Sequence, residues 1–371
     1  METSGQQVRV LYFGVRDTQY PRNERIRDFL ERDLDCAVTV SEAPATGGRL
    51  RRYWSQLKTA ATISPDYDVV ILSEFSLNYF VFSWLLAKRA RATHIVDFFV
   101  GLHETEVGDA GTTSAKSVRA RILKAVDRGA VLSASYCFTD TDARAARFSA
   151  INNERRTFVT LPVGAPSWAL PSAVEQSASV TGKLRVLYYG SYLALHGLSS
   201  FVEALGQMDH RDLEVTMVGD GPMRSDTKNR VIALGLENFV QFLEPVGTEV
   251  LADYIRRADV IVGIFGSSPK ASEVIANKVW QGLYMGKIVV TRESTALSEI
   301  AVPAAASLVR VTSEDPKDIA SALTQLVQSR TAIRQRDSSG TRLALEEYVQ
   351  SRFRTGFSHE PLNRDFQATS R

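Results

Sequence analysis

Residues 258–299 read ADVIVGIFGSSPKASEVIANKVWQGLYMGKIVVTRESTALSE. Val260, Ile261, Val262 and Ile264 make a near-continuous apolar run, the pattern of a strand buried on both faces. A loop of small and polar residues follows, then a helix-like run and a second apolar strand at Ile288, Val289 and Val290. Strand, loop, helix and strand in this order form the repeating unit of a parallel α/β sheet. Open sheets of this kind bind ligands beyond the carboxyl ends of their strands, so the polar loop is a natural place for a site. Glu273 and Gln281 stand eight positions apart across that loop and the start of the helix.

The same grammar extends outward in both directions. Val8–Phe13 opens the chain as a strand, with Gly14 and a polar loop behind it, and Asn23 is placed to cap a helix through Ile26, Phe29 and Leu30. Val38–Val40, Asp68–Leu72, His94–Val96, Ser133–Phe138 and Phe158–Leu161 read as further strands, with a helix through Trp84 and Leu85. Residues 165–182, APSWALPSAVEQSASVTG, have the Pro, Ser and Ala content of a linker. Strands then resume at Leu184–Tyr189, Val215–Val218 and Val240–Phe242, with a helix from about Leu198 and another over Glu249–Arg257. The pattern predicts an α/β protein of two doubly wound, Rossmann-like domains facing across a cleft. Residues 1–166 form the first domain, 167–182 the linker and 183–340 the second domain. Residues 341–371 supply a final helix, apolar at Leu345 and Val349, with a polar tail from 354.

The chain has 371 residues, 44% of them apolar, and a formal net charge of +2. That is ample for two cores and gives no large field for nucleic acid. Arg49, Arg51 and Arg52, just before Tyr53 and Trp54, form one local basic cluster, and Lys88, Arg89 and Arg91 form another. Such clusters suit either solvated helix faces or contact with an anionic membrane surface or a lipid-linked acceptor. Cys36 and Cys137 stand alone, which gives no disulfide framework and fits a reducing compartment. No signal-peptide pattern and no run long enough to span a bilayer is read, so the expected location is cytoplasmic, with peripheral contact at the inner face of the membrane. No His, Cys or carboxylate cluster has metal-ligand spacing, so no metal is expected. Gly14 lacks the rest of a dinucleotide fingerprint, Gly219-x-Gly221 is followed by Arg224 where a third glycine belongs, and no Walker A loop occurs. These absences argue against a nicotinamide enzyme.

Several segments together resemble the GT-B glycosyltransferases, close to family 4 (glycosyl transferases group 1). GSYLALHG at 190–197 is similar to the glycine-rich turn after the first strand of the donor domain, in the subgroup that carries His before the second glycine. VTMVGDGPMRSD at 215–226 is similar to that family's Gly-x-Gly-Pro turn, and Glu244-Pro245-Val246-Gly247 to the segment that holds the nucleobase. Glu273 matches the first Glu of the Glu-x7-Glu motif, while Gln281 replaces the second and gives up its charge. Asn277-Lys278 resembles an Asn-Lys pair of a subgroup. Pro162-Val163-Gly164-Ala165 resembles the turn into the hinge. The resemblance also implies that the final helix crosses back onto the first domain.

The resemblance implies a sugar transfer from a nucleotide-diphosphate sugar to an acceptor hydroxyl, with retention and without metal or further cofactor. The acceptor would be a carbohydrate, a lipid-linked molecule or a small molecule, as in cell-envelope polysaccharide synthesis. Gly190, His196, Gly197, Lys270, Asn277, Lys278 and Gln281 would bind the donor, with His196 adding a charge-assisted bond if protonated. Glu273 would lie by the sugar ring, and Asp97 or His103 would orient the acceptor hydroxyl or take its proton. Arg16 and Arg22 are candidates to approach phosphate or an anionic acceptor. A catalytically silent GT-B binding or scaffold protein and a GT-B sugar-nucleotide epimerase remain alternatives.

Overall fold

Strands form where the sequence is continuously apolar, and all of them pair in parallel. A computed structural model describes residues 7–44, 46–109, 113–169, 182–209, 211–359 and 362–366. The chain divides into two units, Met1–Val163 with Val349–Arg371, and Gly164–Tyr348. The proposed linker lies largely outside the described residues, at 170–181.

In the first unit the elements run β1 (Arg9–Val15), α1 (Pro21–Arg32), β2 (Ala37–Glu42), α2 (Arg49–Thr62), β3 (Val69–Leu72), α3 (Phe80–Ala90), β4 (Thr93–Asp97), α4 (Val118–Ser133), β5 (Tyr136–Thr139), α5 (Asp142–Ile151) and β6 (Thr157–Thr160). The sheet order is β2-β1-β3-β4-β5-β6. Only the β1–β2 step moves in one direction; every later step moves in the other. With right-handed crossovers, α1 covers one face and α2, α3, α4 and α5 lie along the opposite one. The neighbours on that second face pack closely. Tyr53 of α2 meets Phe82 of α3 at 4.7 Å between ring centroids, and a methyl group on Gly129 of α4 would stand 2.7 Å from the Phe80 ring of α3.

In the second unit the elements run β7 (Leu184–Tyr189), α6 (Leu198–Leu205), β8 (Leu213–Val218), α7 (Arg224–Ala233), β9 (Val240–Leu243), α8 (Thr248–Arg257), β10 (Val260–Val262), α9 (Pro269–Glu273), α10 (Asn277–Tyr284), β11 (Ile288–Arg292), β12 (Leu308–Val311), α11 (Pro316–Gln328) and α12 (Arg330–Gln335). The order β12-β11-β10-β7-β8-β9 puts the point where the winding reverses between β7 and β10. The loops after these two strands diverge there and open a crevice at their carboxyl ends. Helix α13 (Ser339–Ser358) begins in this unit, and from Val349 it belongs to the first.

Four expectations need correction. Asn23 does not cap α1: the helix starts at Pro21 after Tyr20, and the Asn23 side chain instead donates to Asp17 O and Glu74 Oε1. Ser133 ends α4 rather than opening a strand, because the apolar positions before it repeat at helical spacing. The tail from 354 is not loose where it is described: α13 continues to Ser358 and α14 (Leu362–Phe366) follows, with Phe357, Leu362 and Phe366 buried, while residues 360, 361 and 367–371 lie outside the described residues. The edge strand β12 was not expected: it is four residues long, Arg310 interrupts its apolar run, and only Leu308 and Val311 are buried.

Candidate functional site

The second unit builds its site where β7 and β10 diverge. β7 ends at Tyr189, and the chain turns through Gly190 and a 3-10 turn at Ala194–His196 into α6. Gly197 precedes α6 at φ +63, and no side chain caps the helix. A Cβ on Gly197 would lie 2.6 Å from the Gly266 nitrogen, so the turn after β7 packs directly on the backbone after β10. The turn after β8 locks against the same segment. A Cβ on Gly219 would stand 2.1 Å from Gly190 O, and one on Gly221 1.8 Å from Ser191 O. Neither separation is physically accessible, so the glycines of the Gly-x-Gly-Pro turn exist for backbone-on-backbone contact.

Lys278, in the first turn of α10, reaches into this turn from the side. It is 5% exposed, and its Nζ makes no hydrogen bond. The ammonium sits 4.2 Å from the centroid of the Tyr188 ring. A Cβ on Gly190 would stand 3.3 Å from Nζ, so the bare glycine makes room for the lysine. Burial lowers the Lys278 pKa to about 7. Ala276, ahead of α10, gives that helix no side-chain cap either. A buried cation with no hydrogen-bond partner, held only over the Tyr188 ring, and two uncapped helix N-termini therefore stand around the β7–β10 crevice, an arrangement that favours an anion.

His196 is buried, and its Nδ1 lies 2.7 Å from the Tyr188 hydroxyl. That hydroxyl accepts from Tyr192 N–H at 3.2 Å, so its own proton goes to Nδ1. The ring is then the Nε2–H tautomer, with one donor left. Burial and the neighbouring Lys278 hold its pKa well below the ordinary histidine value. The protonated, charge-assisted form expected from sequence gives way to a neutral donor.

Gln281 is buried on α10, and its Oε1 accepts from the Tyr189 hydroxyl at 2.8 Å. The oxygen that the sequence offers to ribose is thus engaged on the strand side. Lys270 and Glu273 lie on α9, which Ser268 caps by accepting from Ala271 N–H. This helix packs beside the Ala194–His196 turn. Asn277 opens α10. Glu244 and Pro245 are exposed at the carboxyl end of β9. The structure thus gathers Gly190, His196, Gly197, Lys278 and Gln281 into one group, with Lys270, Glu273 and Asn277 on the adjoining segments.

In the first unit the polar groups at the carboxyl ends of β3, β4 and β5 are tied to one another. Asp97 is fully buried, and both its oxygens lie within 2.9 Å of Arg22 Nε. Arg22 also donates to Leu161 O at 2.6 Å. Burial pushes the Asp97 carboxyl up, against the pull of Arg22. A residue that takes a proton from an acceptor hydroxyl needs an oxygen that the hydroxyl can reach, and Asp97 has none; it anchors Arg22 instead. Arg22 is fully buried, with its Nη2 left without a hydrogen-bond partner, while exposed Arg16 donates to Asn78 Oδ1 at 3.3 Å.

His103 is half-buried and borders a cavity of 360 Å³ with Lys124, Arg128, Arg147 and Phe148. Asp127 accepts from the backbone N–H of Leu102 and His103, both at 2.9 Å, which fixes that loop. Glu74 was not singled out in the sequence. It ends the segment after β3, is 1% exposed, and accepts from Ser73 Oγ at 2.6 Å and Asn23 Nδ2 at 2.7 Å. Burial, with nearby Asp97, raises its pKa to about 7. The signal was available in the carboxylate of SEFS directly after VVIL, beside the point where this sheet reverses.

Among the described residues no group of three His, Cys, Asp or Glu is placed to hold a metal ion. Residues 183–329 match the family model described as Glycosyl transferases group 1. No curated protein matches the chain. Among solved structures, a sucrose-phosphate synthase from Thermosynechococcus elongatus is similar at a TM-score of 0.68 and 15% identity, covering 96% of this chain and 100% of that one. HepE from Anabaena, in complex with UDP and glucose, is similar at 0.64 and 14%, covering 94% and 98%. A glycosyltransferase from Rickettsia africae is similar at 0.64 and 12%, covering 95% and 98%. At these identities the likeness is one of fold, and it spans both units. Residues 183–329 thus resemble the glycosyl transferases group 1 model, and the fold of the chain is GT-B.

Proposed function

We propose that this protein is a glycosyltransferase that binds a nucleotide-diphosphate sugar on its second unit and passes the sugar to an acceptor hydroxyl, with retention and without a metal ion. The observation that carries this reading is Lys278, a buried ammonium with no hydrogen-bond partner beside the Gly190 turn. Breaking the bond between the anomeric carbon and the diphosphate sends its electron pair to the phosphate oxygen. The acceptor oxygen bonds to the same carbon, and its proton passes to the departing diphosphate oxygen. Lys278, the Nε2–H of His196 and the N-termini of α6 and α10 would stabilise the charge that grows on the leaving diphosphate. Glu273, at the end of α9, would address the sugar, and His103 of the first unit the acceptor. Similarity to HepE, solved with UDP and with UDP-glucose, supports a uridine nucleotide as the first donor to try. A carbohydrate or lipid-linked acceptor of the cell envelope is the acceptor class we favour.

A thermal-shift screen with UDP, GDP, ADP and dTDP, without added metal, tests the donor site. Ligand at 100 times its dissociation constant adds about 2.7 kcal/mol of stability. One nucleotide should shift the transition, and Lys278→Ala should remove the shift. Because the free lysine titrates near 7, diphosphate binding carries a proton onto it. Affinity is then fully present below pH 7 and declines above it, by up to about tenfold per pH unit. No shift with any of the four, in a protein that unfolds cooperatively, would sink the proposal.

A further inference from the structure

The first unit holds a cavity of 360 Å³ between α4 and α5, under the loop that follows β4. That volume falls at the lower end of the range for small-molecule pockets. On α4, Lys124, Arg128 and Leu132 repeat at i, i+4 and i+8, so one stripe of the helix faces the cavity. Arg147 and Ile151, at i and i+4, do the same on α5.

The floor of the cavity is apolar. Phe98, Val131 and Phe148 are buried, and the Phe98 and Phe148 rings meet edge-on at 4.8 Å between centroids. Leu132 and Ile151, near the ends of their helices, carry this surface out to solvent, where Ile151 is 63% exposed. The walls are basic. Lys124, Arg128 and Arg155 are exposed, and their side chains form no hydrogen bond or ion pair with another described residue. The carboxylates of the lining are engaged: Glu104 pairs with Arg144 and Arg147, and Asp127 accepts from the backbone N–H of Leu102 and His103. Four Lys and Arg thus line the cavity against two carboxylates that already have partners.

We propose that this cavity binds a small anionic ligand, a phosphate or carboxylate carried on an apolar body, at a site apart from the donor crevice of the second unit. Lys124, Arg128 and Arg155 hold the anion through charge-assisted hydrogen bonds. The apolar body covers Phe148, Leu132 and Ile151 and takes their surface out of water. Inorganic phosphate would leave that floor uncovered, and a neutral apolar molecule would leave the cations unused. Occupancy also bears on His103. Asp127, which lines the cavity, fixes the loop that carries His103, so a bound ligand packs against the support of that loop.

Calorimetric titration of the full chain with phenyl phosphate tests this, with inorganic phosphate and benzyl alcohol as its two halves. Phenyl phosphate should bind, and more weakly as salt is added. Each half should bind at least about tenfold more weakly, since it gives up either the charged hydrogen bonds or the apolar burial. Lys124→Gln with Arg128→Gln should weaken phenyl phosphate on the order of tenfold, and Arg155→Gln alone about threefold. Lys278→Met should leave this binding unchanged, so the outcome does not depend on the donor reading. The three cavity positions are exposed and a cooperative melt confirms each fold; Arg155→Gln serves if the double variant fails to fold. No binding of phenyl phosphate, binding lost in Lys278→Met, or binding that neither cavity variant weakens overturns the proposal. Equal affinity for inorganic phosphate overturns it too, because the apolar floor would then contribute nothing.

Discussion

Replacing Lys278 by methionine should stabilise the free protein while abolishing the proposed diphosphate site. The side chain is 5% exposed and its ammonium has no hydrogen-bond partner. Its pKa falls from the ordinary 10.5 to about 7 through burial, and a gap of that size corresponds to roughly 5 kcal/mol at neutral pH. Methionine keeps an unbranched stem and fills irregular gaps readily. Local relaxation lowers the cost of a buried charge, so the net gain should be about 2–4 kcal/mol. The pH dependence gives the sharper signature. Between about pH 7 and the unfolded value, the unfolded chain holds a proton on Lys278 that the folded chain has lost, so wild-type stability rises with pH. The advantage of Lys278→Met is therefore constant below pH 7 and shrinks above it by about 1.4 kcal/mol per pH unit. Urea unfolding of the two proteins from pH 6 to pH 10 measures it. A variant less stable than the parent at pH 7, or a gain that stays flat to pH 10, would refute the claim that Lys278 is an unpartnered buried cation.

Three further outcomes are expected. Asp97→Asn should cost about 3–5 kcal/mol, since it leaves Arg22 charged and buried without its counter-ion, and the loss should appear in urea unfolding. Gly221→Ala should abolish the donor turn as built, because its Cβ would meet Ser191 O at 1.8 Å; we expect nucleotide binding to be lost together with several kcal/mol of stability, on the order set by backbone strain and overpacking combined. Glu74→Gln should remove a fall in stability between about pH 4.5 and pH 7. The folded carboxyl titrates near 7, so its protonated form favours folding below the unfolded value of 4.5, and that contribution, roughly 3 kcal/mol, is lost as pH rises to 7. A parallel pH profile for Glu74→Gln and the parent would contradict this.

Both sheets were legible because their central strands β3, β5 and β10, and most of β1, β7 and β11, are buried along their length and read as apolar runs. β12 was not: it is an edge strand of four residues in which exposed Arg310 interrupts the apolar run, and only Leu308 and Val311 are buried. The tail was misread for a related reason: Phe353, Phe357, Leu362 and Phe366 are isolated among polar residues, and only their convergence on the first sheet reveals them as core. In the site, the glycines and Lys278 could be read from their segments, but what isolates the lysine could not. Tyr188 and Tyr189 point to opposite faces of β7, one to His196 and the other to Gln281. As strand residues they looked like ordinary core, and their hydroxyls fix a tautomer and engage an amide that local sequence treats as available. Asp97 shows the converse: a carboxylate at a strand end is a fair candidate until an arginine 75 positions earlier in the chain, on α1, is folded onto it.

The division of the chain has a consequence for the order in which it is made. The second unit is one uninterrupted stretch, Gly164–Tyr348, while the first is completed by residues after 348. Phe29 of α1 packs on Phe353 and Phe357, and Phe138 of β5 on Phe357. During synthesis from the N-terminus, the first unit is translated early yet waits with that apolar face uncovered until the last helices emerge. The second unit, translated later, has all of its own strands before the first is finished. The unit that begins first is therefore sealed last, and a premature stop near residue 348 would strip the cover from the N-terminal sheet while leaving every strand of the C-terminal one in place.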